Sequence, residues 1–446
     1  MSFPSTRTIL TSFDGGVVLQ ASVQKPDKYR FFDSLGDVAL IPRGAGLSYP
    51  AASFGSESTS VDLSNFNRLL SYQDGLLHVE AGATLGQVYN FLIKHGRYLP
   101  IQPGHPDITI GGCVAADVHG KNQLRDGTFI ELVEALELFH PKHGVVTLSR
   151  TEHADLFYLT CGGYGLTGII RTVHLRTREL PSPVVEIVTI PVSSVEDLEA
   201  VITEKARQYD LVYSWHDFTQ RGKGFGKGFI KAARFVPSSE VASSFDQRDR
   251  HPKRTLYAEH RGMYRYAFFS QWTTRPFNAL FYQSNMIGRS VHKMPLYDFL
   301  FPVHNKEIYF KFFGRKGFHE CQFIIPFKQV SSWTEEVKVY LSGHSISVTL
   351  ASAKLFVGEQ RLLRFTGQGI CMALDVPRSA QGRLFVDFLN DLATRTGAIP
   401  NIIKDAELSA PVVAACYPEY EAFRSALRAW DPDRMFRSHL SERIGL

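Results

Sequence analysis

The sequence lacks the features that mark secreted, membrane-spanning and zinc-binding proteins. Its 446 residues include only five cysteines, at positions 113, 161, 321, 371 and 416, and no two of them form a Cys-x-x-Cys pair. A zinc knuckle, a redox dithiol or any other metal site is therefore not predicted. Residues 1–7 show no apolar segment of a signal peptide, and no run approaches the roughly 18 apolar residues of a spanning helix. Unpaired thiols are typical of a reducing compartment, so we expect a cytoplasmic protein.

The charge pattern argues against nucleic-acid binding. The net charge is only +5, the Lys and Arg residues are scattered, and no nucleic-acid-binding motif accompanies them. The one local excess of positive charge lies in residues 221–231. This segment is interpreted either as a solvated loop or as a segment that binds an anion.

The length exceeds what a single hydrophobic core usually supports, so two domains are expected. Short apolar runs, glycine turns and helical stretches alternate over residues 36–180, which predicts an α+β fold. A Pro-Ser-Pro segment at 181–183 predicts a linker. We expect an N-terminal domain over residues 1–182, a second domain over 183–398, and a return of residues 399–446 to the first domain.

The apolar pattern predicts individual elements. A helix is expected from Thr84, which can cap it, to Gly96, which can end it, and another over 151–160. Residues 258–313 are rich in aromatic residues and arginine without clear periodicity, and are interpreted as core plus irregular loop, with room for a lipid-contacting surface. Residues 430–436 are interpreted as a final turn and helix. Strands are predicted at 38–41, 60–63, 76–80, 169–177, 211–217, 319–325 and 369–376.

Two glycine-rich loops are the main candidates for ligand binding. The first, Arg43-Gly-Ala-Gly-Leu-Ser-Tyr49, follows a predicted strand; its glycines allow several N–H groups to point at one phosphate. In the second loop, the small residues from Gly111 to Ala116 let a flat ring approach the main chain, and His119, Lys121 and Asn122 supply donors nearby. A tight turn and a buried glycine turn beside a core histidine are the simpler alternatives.

Nicotinamide binding is not favoured. The segment from Gly163 to Gly168 matches the pattern Gly-x-Gly-x-x-Gly. A Rossmann motif requires a strand before it and a helix after it, whereas the sequence predicts the reverse order here. The glycine–lysine run at 222–228 likewise lacks the Gly-Lys-Ser/Thr of a phosphate-binding loop.

Together these segments resemble the vanillyl-alcohol-oxidase, or PCMH-type, FAD-binding domain. The resemblance is most specific to the decaprenylphosphoryl-ribose oxidase family, at residues 117–122, 162–170, 352–356, 370–377 and 403–405, and covers both predicted domains. It implies a PCMH-type FAD-binding domain plus a substrate domain built on an antiparallel sheet. It also implies FAD held without a covalent link, since Leu47 occupies the position where related oxidases carry a flavin-bonding histidine.

The resemblance also implies the site residues. Lys404 is the indispensable catalytic residue, acting either as a base or as a charge that stabilises the reaction, and His119 accompanies it. The substrate pocket is lined by Lys354, Phe356, Gln322, Cys371 and Lys404. The expected FAD-binding residues are Arg43, Gly44, Ala45, Gly46, Leu47, Ser48, Tyr49, Gly104, Thr109, Ile110, Gly111, Gly112, Ala116, Val118, His119, Gly120, Lys121, Asn122, Gly165, Ile169 and Ile170.

Several residues depart from the family pattern around the expected substrate. Asn401 stands in place of a flavin-contacting tyrosine, and Phe313 and His304 replace a tyrosine and an aspartate. Glu320 and Cys321 interrupt what is usually Gln-Tyr-Gln.

The expected function is FAD-dependent oxidation of a secondary hydroxyl of a sugar, at C2 of a polyprenyl-phosphate-linked pentose. This would be the first half of an epimerisation that an NAD(P)H-dependent reductase completes, with possible peripheral contact to the inner membrane face. The alternatives are a soluble sugar or alditol oxidase using oxygen, a non-catalytic flavin-binding protein, and, least favoured, a nicotinamide dehydrogenase.

Overall fold

The computed structural model describes residues 3–35, 38–241, 266–287, 291–303 and 308–446. In these residues the chain forms the α+β fold that the sequence predicts. Its strands assemble into four sheets. The helices are α1 (Leu85–Ile93), α2 (Ile110–Ala115), α3 (Gln123–Asp126), α4 (Ala154–Thr160), α5 (Leu198–Gln208), α6 (Thr274–Met286), α7 (Leu296–Leu300), α8 (Ile308–Lys311), α9 (Val330–Gly343), α10 (Ala380–Thr396), α11 (Ala410–Cys416), α12 (Tyr420–Trp430) and α13 (His439–Arg443).

The N-terminal part of the chain builds three of the sheets. One is a mixed sheet in the order β1-β2-β4-β3, another an antiparallel sheet in the order β5-β6-β10-β8-β9, and the third pairs β7 with β11. Their strands are β1 (Thr6–Thr11), β2 (Val18–Gln24), β3 (Leu40–Arg43), β4 (Thr59–Asp62), β5 (Leu69–Gln73), β6 (Leu76–Glu80), β7 (Arg97–Tyr98), β8 (Val133–His140), β9 (Gly144–Ser149), β10 (Ile169–Arg176) and β11 (Arg178–Glu179).

The fourth sheet has eight strands in the order β15-β12-β14-β13-β17-β18-β16-β19, all paired antiparallel. The antiparallel sheet expected for the later part of the chain is thus confirmed. Its strands are β12 (Val184–Val192), β13 (Leu211–Asp217), β14 (Lys227–Phe235), β15 (Val291–Pro295), β16 (Phe318–Ile325), β17 (Leu350–Phe356), β18 (Gly369–Pro377) and β19 (Ile399–Pro400).

Local signals account for the elements that the sequence predicts well. Thr84 caps helix α1, and its side chain accepts a hydrogen bond from the Gln87 N–H in a capping box. Gly96 follows the helix at a φ of 65°, a conformation that glycine adopts without steric cost. Helix α4 precedes the Gly-x-Gly-x-x-Gly segment and strand β10 follows it. This order is the reverse of the strand–loop–helix order of a Rossmann unit.

The central strands of the eight-stranded sheet separate two environments. All eight residues of β16 are buried. Cys321 and Phe323 belong to the core that includes Phe385 of helix α10, whereas Glu320 and Gln322 line a cavity on the other face. Because side chains alternate between the two faces of a strand, one polar row of the sheet faces that cavity.

The structure corrects the sequence predictions in three segments. Residues 258–313 are not an irregular loop in their described part, since helices α6 and α7 and strand β15 lie there. The basic run at 221–231 is not one loop, because β14 starts at Lys227. Residues 430–436 contain no helix beyond Trp430, where α12 ends; instead Phe436 pairs with Leu40 of β3. His304 lies outside the described residues.

Candidate active site

A cavity of about 790 Å³ lies between the two glycine-rich loops and the polar row of the eight-stranded sheet. This volume is in the upper part of the range found for cofactor and ligand pockets, which is about 300–1,000 Å³. Of the predicted site residues, those that line the cavity are Gly44, Ala45, Gly46, Leu47, Ser48, Tyr49, Gly104, Thr109, Gly111, Gly112, Ala116, Val118, His119, Gly120, Lys121, Gly165, Ile170, Gln322, Lys354, Cys371 and Lys404.

Five predicted site residues do not line the cavity. The Arg43 guanidinium donates to Ser53 Oγ at 2.8 Å, and Asn122 donates its side-chain amide to the Pro100 carbonyl at 2.9 Å. Ile110, Ile169 and Phe356 are fully buried.

The two glycine-rich loops touch each other. A Cβ atom on Gly44 would overlap the Thr109 hydroxyl, so only glycine allows this approach. Thr109 also caps helix α2, accepting from the Gly112 N–H at 3.2 Å. The simpler alternative for this segment was a buried glycine turn, but the structure shows a short capped helix whose residues Gly111 and Gly112 line the cavity.

His119 lies where the second loop meets the polar sheet. Its ring packs edge-on against Phe356, with ring centres 4.8 Å apart, and Nδ1 lies 3.3 Å from the Gly120 carbonyl oxygen. Burial, with a smaller contribution from the nearby Lys354 charge, holds the pKa of His119 well below its ordinary value. His119 is therefore a neutral imidazole at physiological pH.

Lys121 is buried beside His119. Its amine donates to the Leu300 carbonyl at 2.6 Å. Burial lowers the pKa of Lys121 well below its ordinary value. The residue thereby ties the second loop to helix α7.

Lys404 follows the last strand of the eight-stranded sheet. Its Nζ lies 3.1 Å from Glu320 Oε1 and 3.7 Å from the centre of the Tyr49 ring. Close by, Asn401 donates to Gln322 Oε1 at 2.6 Å. The predicted lysine is thus held between an acidic side chain and an aromatic face, each of which stabilises positive charge.

Lys354 and Cys371 occupy neighbouring strands of the same polar row, β17 and β18, where they are register partners. Burial lowers the pKa of Lys354. Burial also raises the pKa of the Cys371 thiol to about 12. Since the thiolate is the nucleophilic form, Cys371 is an inert part of the wall.

The sequence analysis missed several residues of the cavity. Asp375 of β18 is fully buried and accepts from the Tyr309 hydroxyl at 2.9 Å. Tyr309 also shares a hydrogen bond with Thr349. Asp375 could have been found from the alternation of side chains: Cys371 faces the cavity, so residues 373 and 375 of the same strand face it too. Trp215, Phe229 and Lys231 line another part of the cavity.

The geometry fits a bound dinucleotide cofactor. Gly46 adopts a φ of 69°, which a side chain would disfavour. A Cβ on Gly104 would find no atom closer than 3.8 Å, so this glycine leaves open space at the cavity wall. The two loops therefore offer main-chain donors and a flat surface, which are the features that bind a pyrophosphate and a ring.

Comparison with known proteins agrees with this geometry. Residues 35–149 match the family model described as FAD binding domain. Decaprenylphosphoryl-β-D-ribose oxidase of Mycolicibacterium smegmatis is 25% identical over 99% of this chain and 95% of its own length. D-lactate dehydrogenase of Anaerostipes hadrus is 27% identical over 37% of each chain. Chitooligosaccharide oxidase of Gibberella zeae is 25% identical over 42% of this chain and 36% of its own. The chain is an FAD-dependent oxidoreductase with an FAD binding domain over residues 35–149, and it is similar to decaprenylphosphoryl-β-D-ribose oxidase along nearly its whole length.

Proposed function

We propose that this enzyme oxidises a secondary hydroxyl of a sugar to a ketone, at C2 of a pentose carried on a polyprenyl phosphate. The observation that carries the proposal is that the polar side chains of Gln322, Lys354 and Lys404 line one cavity together with the two glycine-rich loops. The similarity to an oxidase of decaprenylphosphoryl-ribose along almost the whole chain supports the same substrate class.

The proposed placement of FAD follows the two loops. The main chain of residues 44–49 would hold the pyrophosphate, and Ser48 would add a hydroxyl. Gly111, Gly112 and Ala116 would offer a flat surface of main chain to the flavin ring. Bound FAD supplies the acceptor for the hydride that leaves the carbinol carbon. Arg43, Ile110, Asn122 and Ile169 hold the loops from behind.

The chain's own residues position the sugar and manage its charge. Neutral His119 and Gln322 can donate or accept hydrogen bonds to sugar hydroxyls. Lys404, with its Nζ 3.1 Å from Glu320 Oε1, orients the reacting hydroxyl. Cys371 and the buried Phe356 shape the pocket.

The lipid phosphate is proposed to bind at Lys231 of β14. Lys231 lines the cavity with its Nζ 5.7 Å from the centre of the Phe229 ring. Phe281 of helix α6 also lines the cavity and packs against Phe229, with ring centres 6.1 Å apart. A phosphate at Lys231 would place an attached prenyl chain among these aromatic rings.

The surface around helix α6 supports a peripheral membrane contact. Leu280 is 70% exposed and Trp272, just before the helix, is 81% exposed. Within the described residues, no helix has both the length and the apolar character to cross a bilayer. We therefore propose a cytoplasmic enzyme that collects its substrate at the inner membrane face, and that hands the keto-sugar to an NAD(P)H-dependent reductase.

The proposal is tested by mixing the purified enzyme, without oxygen, with a panel of pentose phosphates that carry prenyl chains of different length. The flavin absorbance should bleach most readily with the prenyl-phosphate pentose. Each buried CH₂ contributes about 0.8 kcal/mol, so shortening the chain should raise KM stepwise. A free pentose that bleaches the flavin equally well would instead favour a soluble sugar or alditol oxidase, as the partial similarity to chitooligosaccharide oxidase allows.

A further inference from the structure

Two carboxyl groups share the polar row of the cavity. Glu320 on β16 and Asp375 on β18 are direct cross-strand partners, and both line the cavity. Glu320 is 7% exposed and Asp375 is 1% exposed. Side chains at such positions have Cβ atoms about 5 Å apart, so the two carboxyl groups lie close together in the cavity wall.

The groups that face this pair come from every neighbouring element. Lys404 forms the ion pair with Glu320 at 3.1 Å. Tyr309 of α8 donates to Asp375 Oδ2. The remaining titratable neighbours of Glu320 are Lys354 on β17, Cys371 on β18 and Cys321 on β16 itself.

Two buried carboxyl groups on directly paired residues cannot both ionise without a large electrostatic cost. Burial, followed by the charge of Glu320, holds the pKa of Asp375 well above its ordinary value. Asp375 is therefore the member of the pair that retains its proton more readily. Glu320 has the Lys404 amine beside it, at 3.1 Å.

Resting on the proposed function, we propose that Glu320 is the group that accepts the proton of the substrate hydroxyl, and that Asp375 is its proton-sharing partner. The O–H bond breaks and its proton goes to a Glu320 oxygen, while the O–H electron pair becomes the second C–O bond. The hydrogen on the same carbon leaves with its two electrons for the flavin.

The test compares Glu320→Gln and Asp375→Asn with a matched control, Glu335→Gln. Glu335 also pairs with a lysine, Lys338, at 2.9 Å, but on the exposed face of helix α9. Glu320→Gln should retain FAD and bind substrate with an unchanged Kd, and reduce its flavin about 10²–10⁴-fold more slowly at every pH. Glu320→Asp, which keeps the carboxylate but retracts it, should be intermediate. The control should match the wild type.

A second measurement does not depend on turnover. The infrared spectrum of the purified holoenzyme at neutral pH should contain the carbonyl band of a buried neutral carboxylic acid. Asp375→Asn should remove this band. In Glu320→Gln the band should disappear at a lower pH than in the wild type, because the neighbouring negative charge is gone.

The outcomes separate this inference from the function on which it rests. A wild-type flavin that no sugar of the panel bleaches would contradict the proposed function, and the infrared band would still report on the pair. A Glu320→Gln variant that is bleached within tenfold of the wild-type rate would overturn the role of Glu320. The absence of an Asp375-dependent band would overturn the shared proton.

Discussion

The Lys404 Nζ lies 3.7 Å from the centre of the Tyr49 ring. Tyr49 ends the first glycine-rich loop, and Lys404 follows the last strand of the eight-stranded sheet. The contact therefore joins the two walls of the cavity. It also fixes the ammonium beside Glu320, which gives Lys404 a definite position from which to act on a substrate.

Replacing Lys404 should impair the reaction and spare the cofactor. Lys404→Ala should purify with a normal flavin spectrum, since we place FAD mainly on the glycine-rich loops. Anaerobic reduction of the flavin by substrate should slow at least 100-fold, because the reacting hydroxyl loses its cationic partner. Lys404→Arg, which keeps the charge, should recover much of the rate. A loss smaller than tenfold in the alanine variant would show that Lys404 is a bystander, and loss of FAD would assign it to cofactor binding.

Gly112→Val should abolish FAD retention. The Cβ alone would lie 3.1 Å from Thr109 Oγ1, and the methyl groups beyond it would enter the space assigned to the flavin. Overpacking typically costs about 1–3 kcal/mol before any ligand contact is lost. The flavin-to-protein absorbance ratio measures the outcome. Gly343→Val is the control, since a Cβ there meets no atom within 4 Å. A fully yellow Gly112→Val protein would refute the placement of the ring.

The flavin should be bound without a covalent link. Leu47 lines the cavity in the first loop and has no nucleophilic atom. No cysteine thiol is expected to form the link either. Burial raises the pKa of the thiols of Cys113, Cys161 and Cys371, so each is a poor nucleophile at neutral pH. Acid precipitation should release the yellow colour into the supernatant. Colour that stays with the pellet would contradict this prediction.

Cys371 should resist alkylation although it lines the cavity. A rise of its pKa from 9.0 to about 12 lowers the thiolate fraction at neutral pH about 1,000-fold. Iodoacetamide labelling at Cys371 in the native protein, followed by mass spectrometry, should therefore be slower than labelling of a free-cysteine peptide by at least that factor. The urea-unfolded protein, in which all cysteines are accessible, is the control. Rapid native labelling at Cys371 would show a thiolate in the pocket.

Asp405→Asn should stabilise the protein at neutral pH. Burial raises the pKa of Asp405 from 3.8 to about 6, so the folded state holds this proton more tightly than the unfolded state. The contribution of Asp405 to the free energy of unfolding is therefore full below about pH 4 and is lost as the pH rises through about 6. The rise in this pKa corresponds to a loss of at most about 3 kcal/mol in the free energy of unfolding at neutral pH. Asparagine carries no charge and can still accept from the Glu407 N–H, as Asp405 does at 2.7 Å.

Urea unfolding of both proteins at several pH values tests this prediction. The free energy of unfolding of the variant should exceed that of the wild type above pH 6, and the difference should shrink toward pH 4. A constant difference across this range would mean that the ionisation of Asp405 is not responsible.

The sequence predicts elements best where local pattern and burial agree. Leu76–Glu80 and Leu211–Asp217 are strands over the predicted ranges. Helix α6 was not predicted because it buries polar residues and exposes apolar ones. Its buried residues are Thr274 and Asn278, while Leu280 is exposed. A helix without a buried apolar stripe gives no periodic signal.

The residues of the cavity likewise differ in how well the sequence predicts them. The glycine-rich loops could be recognised because glycine spacing is a local property. Asp375 was missed because a buried carboxyl group looks like a surface residue in the sequence, although strand alternation from Cys371 would have placed it on the cavity face. Its pairing with Glu320 depends on the register of β18 against β16, which only the assembled sheet defines.

The pairing of Phe436 with Leu40 has a consequence for synthesis. The Leu40 N–H donates to the Met435 carbonyl at 2.6 Å, and the Arg437 N–H donates to the Leu40 carbonyl at 3.0 Å. A strand next to the first glycine-rich loop therefore gains this neighbour only after residues 435–437 have left the ribosome. Contacts so distant in sequence are costly to close and form late. The nascent enzyme should consequently remain colourless until residues 435–437 have emerged, with FAD joining only after that point.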